Sequence, residues 1–332
     1  MQYRTVGKTD LRVSEIGFGC GNNAVLMVRA SYEDQVAAVR RALELGINYF
    51  DTAYAYGLGK SEQNLGRILK DLSATPVVST KIRVEEDGLG DLKAATVGVV
   101  EASLARLGRE CVDLIQLHTR ITVERNTGSR FSLVPQDVLG GVLDGFKEMR
   151  GRGKVRYFGF SGLGDPKALH EVVDSGEFHS FQAYYNMLQP SAGNSVPQGF
   201  SALDYGRIID HAAAKGMGAA VIRVLASGAL TDSPPAQGGS SGQTMSPGSD
   251  FLTDIERART VKAALGREVP SLAQAAIRFG LMKSEVSTVL VGFSNVNHVE
   301  EAAACSGAGG LSDNVMARLR KLWATDFGRL SS

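Results

Sequence analysis

The chain has little cysteine: Cys20, Cys111 and Cys305 are all there is in 332 residues, far apart and without CxxC spacing. That excludes a disulfide framework and reads as free thiols in a reducing compartment. Long apolar runs are missing too, none approaching the ~20 residues that a membrane span needs. The N-terminus, Met1-Gln2-Tyr3-Arg4-Thr5, has no apolar core of the signal-peptide kind. Neither sign of charge dominates: 36 Lys+Arg stand against 35 Asp+Glu, for a net +1. No nucleic-acid or membrane partner is therefore expected, although a local anion site stays open. His170, His179, His211 and His298 do not cluster with Cys or carboxylates, so no metal is expected. Together these absences point to the cytoplasm.

What is present is ordinary for a globule: 43% hydrophobic and 21% charged residues, ample for a core. No linker or short repeat interrupts the chain, so one domain over 1–332 is expected. Short β-branched runs alternate with helical periodicity. The strand candidates are 13–19, 47–53, 77–81, 112–118, 155–161, 180–186, 218–224 and 287–293. Helical patterns cover 31–45, 61–69, 92–107, 137–150, 166–175 and 203–215. Alternation of this kind predicts a parallel sheet covered by helices. Eight near-continuously apolar strands favour closure into an α/β fold, the (β/α)8 TIM barrel. Residues 2–6 and 11–13 flank Gly7-Lys8-Thr9-Asp10, a small N-terminal β-hairpin capping the closed end. Three segments read as long loops at the C-terminal face of the strands: 119–134, 189–201 and 232–249.

The candidate chemistry sits at three neighbouring strand ends. The second strand delivers Asp51 and, five residues on, Tyr56; the third ends on Lys81 and the fourth on His118. In a barrel these ends meet at the mouth where catalysis occurs. A free tyrosine phenol, with a pKa of ~10, exchanges protons slowly at neutral pH, and a nearby ammonium favours its phenolate. Lys81 supplies such a charge, Asp51 can pair with it, and His118 can hydrogen-bond a carbonyl oxygen beside the phenol. The set suits carbonyl reduction, with hydride coming from a nicotinamide because the protein has none to give. Alone, each residue has a simpler reading: a solvated Lys, a rim His, a packing Tyr. Tyr54 also competes with Tyr56 for the acid role. Convergence of the four groups carries the argument.

Two other motifs are set aside. Gly57-Leu58-Gly59-Lys60-Ser61 matches the end of a P-loop, but Tyr54 stands where that pattern needs glycine. Gly17-Phe18-Gly19-Cys20-Gly21 lacks the GxGxxG spacing.

Asp51-Thr52-Ala53-x-x-Tyr56-Gly57 followed by Gly59-Lys60-Ser61-Glu62 resembles the signature of the aldo-keto reductases. Gly153-Lys154-Val155-Arg156-x-x-Gly159-x-Ser161, and Val291-Gly292 with the helix after it, are similar to two further segments of that family. The likeness runs from about Arg4 to Ala304. It implies a barrel, a nicotinamide cofactor without a Rossmann domain, and the tetrad Asp51, Tyr56, Lys81 and His118, with Tyr56 chosen over Tyr54 by spacing from Asp51.

The resemblance also implies where the cofactor lies: Gly19-Cys20, Asp51, Ser161-Gly162 and Gln182 around the nicotinamide. Ser161 and Gln182 would hold its carboxamide. Gly162 stands where the family usually has Asn, so one side-chain amide is missing. Arg223 falls near the residue commonly a Tyr under the ring, able to stack or to pair with the pyrophosphate. Ala226, Ser227 and Gly228 follow as a backbone cradle. At the adenosine end come Gly292, Ser294, Asn295, His298 and Glu301, with Asn295 as N-cap of a phosphate-facing helix. Ala302 replaces an Asn that often meets adenine. The family's habit puts NADP(H) ahead of NAD(H), though no Lys or Arg stands at Ser294 to grip a 2′-phosphate.

The expected function is reversible reduction of an aldehyde, ketone or sugar-like carbonyl, with Tyr56, His118, Thr119 and Arg120 facing substrate. One alternative is an NAD-dependent dehydrogenase of a sugar or hydroxylated ring. Another is a nucleotide-binding regulatory subunit with little turnover. Oligomeric state stays open.

Overall fold

The computed structural model describes residues 1–21, 25–234 and 250–330. An antiparallel hairpin, β1 (Tyr3–Thr5) and β2 (Arg12–Ser14), opens the chain. Eight parallel strands then close a barrel. Four come first: β3 (Ile16–Gly19), β4 (Tyr49–Asp51), β5 (Val77–Ile82) and β6 (Val112–Leu117). A two-stranded parallel pair, β7 (Arg120–Ile121) and β8 (Ser132–Leu133), stands outside it. The ring is completed by β9 (Val155–Ser161), β10 (Ser180–Tyr184), β11 (Gly218–Ile222) and β12 (Val286–Gly292), and β12 pairs with β3. This is the (β/α)8 architecture.

Around the ring lie α1 (Leu26–Arg29), α2 (Tyr32–Glu44), α3 (Lys60–Asp71), α4 (Leu92–Leu107), α5 (Pro135–Asp137), α6 (Leu143–Gly151), α7 (Pro166–Asp174) and α8 (Ile208–Ala214). Then come α9 (Phe251–Leu265), α10 (Leu272–Leu281), α11 (Val296–Ala303) and α12 (Asp313–Ala324). Ser31, Asp91, Ser271 and Asn295 accept N-terminal backbone N–H groups as caps.

Two apolar layers hold the ring. Phe18, Phe50, Ile115, Phe158 and Phe181 are buried in the core that includes the helices. Tyr49, Leu114, Ala220 and Leu290 form a second cluster with Val6, Leu11 and Val13 of the hairpin. The hairpin therefore plugs the barrel's N-terminal end. Gly7, at φ 47°, lies so close to the 216–218 backbone that a Cβ would stand 2.3 Å from the Gly218 nitrogen. Glycine is required there.

Three expectations need correction. Segment 119–134 is not all loop: Ile121 and Leu133 are fully buried, and Ile121 N–H donates to Leu163 O at 2.8 Å. Parallel pairing of Arg120 with Ser132 and of Ile121 with Leu133 makes β7 and β8 strands despite their length. The helix expected from 203 starts at Ile208, because Gly206 and Arg207 adopt left-handed φ of 56° and 57°. Leu203 O is instead bonded by Gln189 Nε2 and Ser191 Oγ, which ties it to the 189–201 segment. The helix expected over 137–150 starts earlier, at Pro135, and widens into a π-helical turn at Val138–Val142 before α6. Of the loop expected over 232–249, residues 235–249 lie outside the described residues. Asp232 accepts from Leu272 N–H at 3.0 Å and pairs with Lys262.

Candidate active site

Strand parity places the candidates. Successive residues of a strand face opposite sides. Tyr49 belongs to the inner cluster and Phe50 to the outer core, so Asp51 returns inward. In register, Asp51 stands beside Ser79, and Lys81 beside Gln116. Ser79 and Lys81 share the inner face of β5. His118 follows one step past β6, its N–H donating to Ile82 O at 2.8 Å.

Lys81 is 1% exposed. Its Nζ donates to Asp51 Oδ1, to Thr52 O at 2.8 Å and to the Tyr56 hydroxyl at 3.1 Å. Burial alone would depress the lysine; the carboxylate of Asp51, helped by Tyr56, outweighs it and holds Lys81 above its usual range. The His118 ring stands edge-on to Tyr56, centroids 6.3 Å apart at 81°. Burial first, then the charges of Lys81, Arg83 and Arg223, holds His118 well below its usual range, so the imidazole is neutral near pH 7. Its Nδ1 is buried without a hydrogen-bond partner among the described residues. Asp51, Tyr56, Lys81 and His118 are thus brought together. Tyr54 is 38% exposed and lies under Arg106, with 4.7 Å from its ring centroid to the guanidinium.

The loop carrying Tyr56 is braced by buried polar groups. Ser61 Oγ donates to Cys20 O at 3.0 Å and lies 2.8 Å from Thr52 Oγ1. Thr80 Oγ1 donates to Glu62 Oε1 at 2.6 Å, and Arg106 Nε donates to Glu62 Oε2 at 2.5 Å. These bonds join α3 to the ends of β3, β4 and β5. The sequence signal was the Gly59-Lys60-Ser61-Glu62 run, which marks no partner by itself.

Gln182 Nε2 donates to Asp51 Oδ2 at 2.7 Å, and Ser161 Oγ donates to Gln182 Oε1 at 3.3 Å. Gly162 N–H donates to Gln182 O at 2.8 Å. A Cβ on Gly162 would lie 2.8 Å from both Gln182 O and the Phe181 ring. The missing side-chain amide at 162 is a matter of space. Gly19 and Gly292 pair across β3 and β12. Cys20 is fully buried, and burial, with Asp51, pushes its thiol far above the usual range against the pull of Lys81. It stays a thiol.

Ile222 holds the inward position at the end of β11, and Arg223 turns away from the strand at φ 61°. Its backbone carbonyl accepts from Asn186 Nδ2 at 2.8 Å; its guanidinium lies 3.4 Å from Ser227 Oγ and 5.7 Å from the Tyr184 ring centroid. Ala226, Ser227 and Gly228 continue with φ of 45°, 58° and 98°. Ser294, Asn295 and His298 are exposed at the N-terminus of α11, where Asn295 Oδ1 accepts from His298 N–H at 3.1 Å. Glu301 accepts from Ser271 Oγ at 2.5 Å, which couples α11 to the cap of α10. A left-handed backbone stretch, an arginine beside it and an open helix N-terminus form a donor set that fits the phosphates of a dinucleotide.

Thr119 is 5% exposed, and its hydroxyl both donates to Val84 O and accepts from Val84 N–H, each at 3.0 Å. It joins the ends of β5 and β6. Arg120 is exposed at the start of β7. Arg83, which the sequence reading passed over, stands two residues beyond Lys81, and that spacing was the available signal.

A model of the Aldo/keto reductase family matches residues 15–324. L-galactose dehydrogenase of Arabidopsis thaliana is 29% identical over 310 residues, covering 92% of this chain and 88% of the relative. L-glyceraldehyde 3-phosphate reductase of Escherichia coli O157:H7 is 27% identical over 320 residues, covering 91% and 86%. The holo form of the aldo-keto reductase AKR11C1 from Bacillus halodurans superposes with a TM-score of 0.74 at 25% identity, covering 97% and 96%. The chain is an oxidoreductase and belongs to the aldo/keto reductase family.

Proposed function

We propose that the chain, acting as a single barrel unit in the cytoplasm, reversibly reduces a small aldehyde, ketone or sugar-like carbonyl with a nicotinamide cofactor. The single observation that carries this reading is the position of Lys81 Nζ, bonded at once to Asp51, to Thr52 O and to the Tyr56 hydroxyl.

A bound reduced nicotinamide supplies the hydride. Tyr56 gives its proton to the carbonyl oxygen, and the phenolate left behind is stabilised by the ammonium 3.1 Å away. Asp51 and Thr52 O hold the other N–H groups of Lys81, so the charge stays in place through turnover. Neutral His118 donates a hydrogen bond to the same oxygen and fixes its position. In the oxidative direction, Tyr56 as phenolate takes the alcohol proton. Gln182 and Ser161 orient the cofactor's carboxamide with the bonding capacity that Asp51 leaves them. Arg223, Ala226, Ser227, Gly292, Ser294 and Asn295 are proposed along its phosphates and ribose.

NADP(H) is proposed ahead of NAD(H) on the family's habit. A second reading, an NAD-dependent dehydrogenase of a sugar, draws on two observations. Ser294, Asn295 and His298 offer a 2′-phosphate no fixed cation, and one relative is named L-galactose dehydrogenase. Measuring kcat/KM with NADPH, NADH, NADP+ and NAD+ against aldehydes and sugars decides between them. Absence of hydride transfer in every combination would sink both.

A further inference from the structure

Two of the four candidate catalytic residues are followed, two positions later, by an arginine: Lys81-Ile82-Arg83 and His118-Thr119-Arg120. Residues i and i+2 of a strand share a face, so Arg83 leaves β5 on the side that carries Lys81. The bond from His118 N–H to Ile82 O sets Arg83 next to His118 across the β5–β6 seam. The charge of Arg83 is felt at the His118 ring, and that of Arg120 at the Tyr205 phenol, whose hydroxyl faces Gly162 O at 3.5 Å. Both arginines are exposed.

Neither has an ion-pair partner among the described residues. Arg106, Arg125, Arg156 and Arg257 are each matched with a carboxylate, whereas Arg40, Arg130 and Arg259, like these two, have no such partner among the described residues; position beside Lys81 and His118 is what sets Arg83 and Arg120 apart. Stretches 22–24 and 235–249 contain no Asp or Glu that could supply one. Glu86, three residues on from Arg83, is spent on Gly128 N–H at 2.8 Å. The one carboxylate at the centre, Asp51, is already matched by Lys81. Arg223 follows the end of β11, four strands from β5 in a ring of eight; its charge too is felt at the His118 ring, but its guanidinium lies beside Ser227 and the Tyr184 ring. Its neighbours there are the cofactor candidates. Arg83 and Arg120 are the arginines that follow the candidate catalytic residues at the ends of β5 and β6, and neither has an ion-pair partner among the described residues.

We propose that the substrate carries an oxyanion, a carboxylate or a phosphate, near its carbonyl, and that Arg83 together with Arg120 binds it. The proposal rests on the carbonyl-reductase reading and narrows its substrate class. Planar guanidinium groups suit both oxyanions through paired N–H donors.

The test compares matched substrates on the full-length protein: 4-carboxybenzaldehyde against methyl 4-formylbenzoate, and glyceraldehyde 3-phosphate against glyceraldehyde. The proposal expects at least one anionic partner to be favoured in kcat/KM by roughly tenfold or more, with the better arm telling carboxylate from phosphate. R83Q and R120Q should each shrink that ratio, through KM rather than kcat, and added salt should shrink it in the wild type. Equal or better turnover of both neutral partners overturns the proposal while leaving the reductase reading intact. If no aldehyde is turned over, calorimetry of the cofactor-loaded protein with terephthalate and with dimethyl terephthalate decides. Binding of the dianion that R83Q weakens keeps the anion site and discards the reaction; no preference for the dianion discards the site as well.

Discussion

Gln182 reaches across the barrel to Asp51, its Nε2 2.7 Å from Oδ2, from a strand four places away in the ring of eight. Asp51 is thereby held from both walls: Lys81 takes one oxygen and Gln182 the other. A carboxylate with both oxygens bonded cannot swing toward substrate; in the proposed mechanism it places the ammonium. The same amide faces Ser161, which links the placing of Lys81 to the proposed seat of the nicotinamide ring.

Replacing Gln182 by Leu removes that link while keeping volume. A hydrogen bond to a charged group contributes about 1.5–3 kcal/mol. The expected outcome is a kcat lowered about tenfold together with weaker cofactor binding, read by steady-state kinetics and cofactor titration. Loss of cofactor affinity with kcat unchanged would show that Gln182 serves the cofactor only.

Gly162 tests the packing explanation for the missing amide. A Cβ there would lie 2.8 Å from Gln182 O and from the Phe181 ring. Gly162→Ala is expected to cost about 1–3 kcal/mol of stability by overpacking, measured by urea unfolding. A variant as stable as the wild type would mean that the neighbours give way freely.

Two buried histidines set the acid side of stability. Burial pulls His179 from its usual value near 6.5 to about 4, against the raising effect of its bond to Phe158 O. His118 is depressed in the same direction. The unfolded chain takes up these protons below about 6.5 and the folded chain does not, so stability is flat above that pH and falls between 6.5 and 4. Urea midpoints at pH 7.5, 6 and 5 should decline, and more shallowly in His179→Gln. Equal slopes in the two proteins would remove His179 from the account.

The barrel was legible because its strands are short β-branched runs set apart by helical periods, a pattern that survives without tertiary information. Strand 155–161 stands as expected, while 47–53 shortens to Tyr49–Asp51 because pairing ends where the neighbouring β3 does. Strands β7 and β8 were not legible: two residues carry no period, and only their pairing with each other makes them strands. The late start of the helix expected over 203–215 depends on left-handed Gly206 and Arg207, which propensity alone does not reveal. That Asp51, Tyr56, Lys81 and His118 come together was readable because strand ends share one face of a barrel. The Gln182–Asp51 bond was not, since it exists only once opposite walls face each other across the closed ring. The placement of Arg83 beside His118 was readable in principle from its parity with Lys81.

Tyr56→Phe deletes one oxygen and leaves Lys81, Asp51 and the ring in place. Cofactor affinity, from fluorescence titration, should stay within a few-fold, while kcat falls by about 100-fold or more. Turnover equal to that of the wild type would contradict the assignment of Tyr56 as the proton donor.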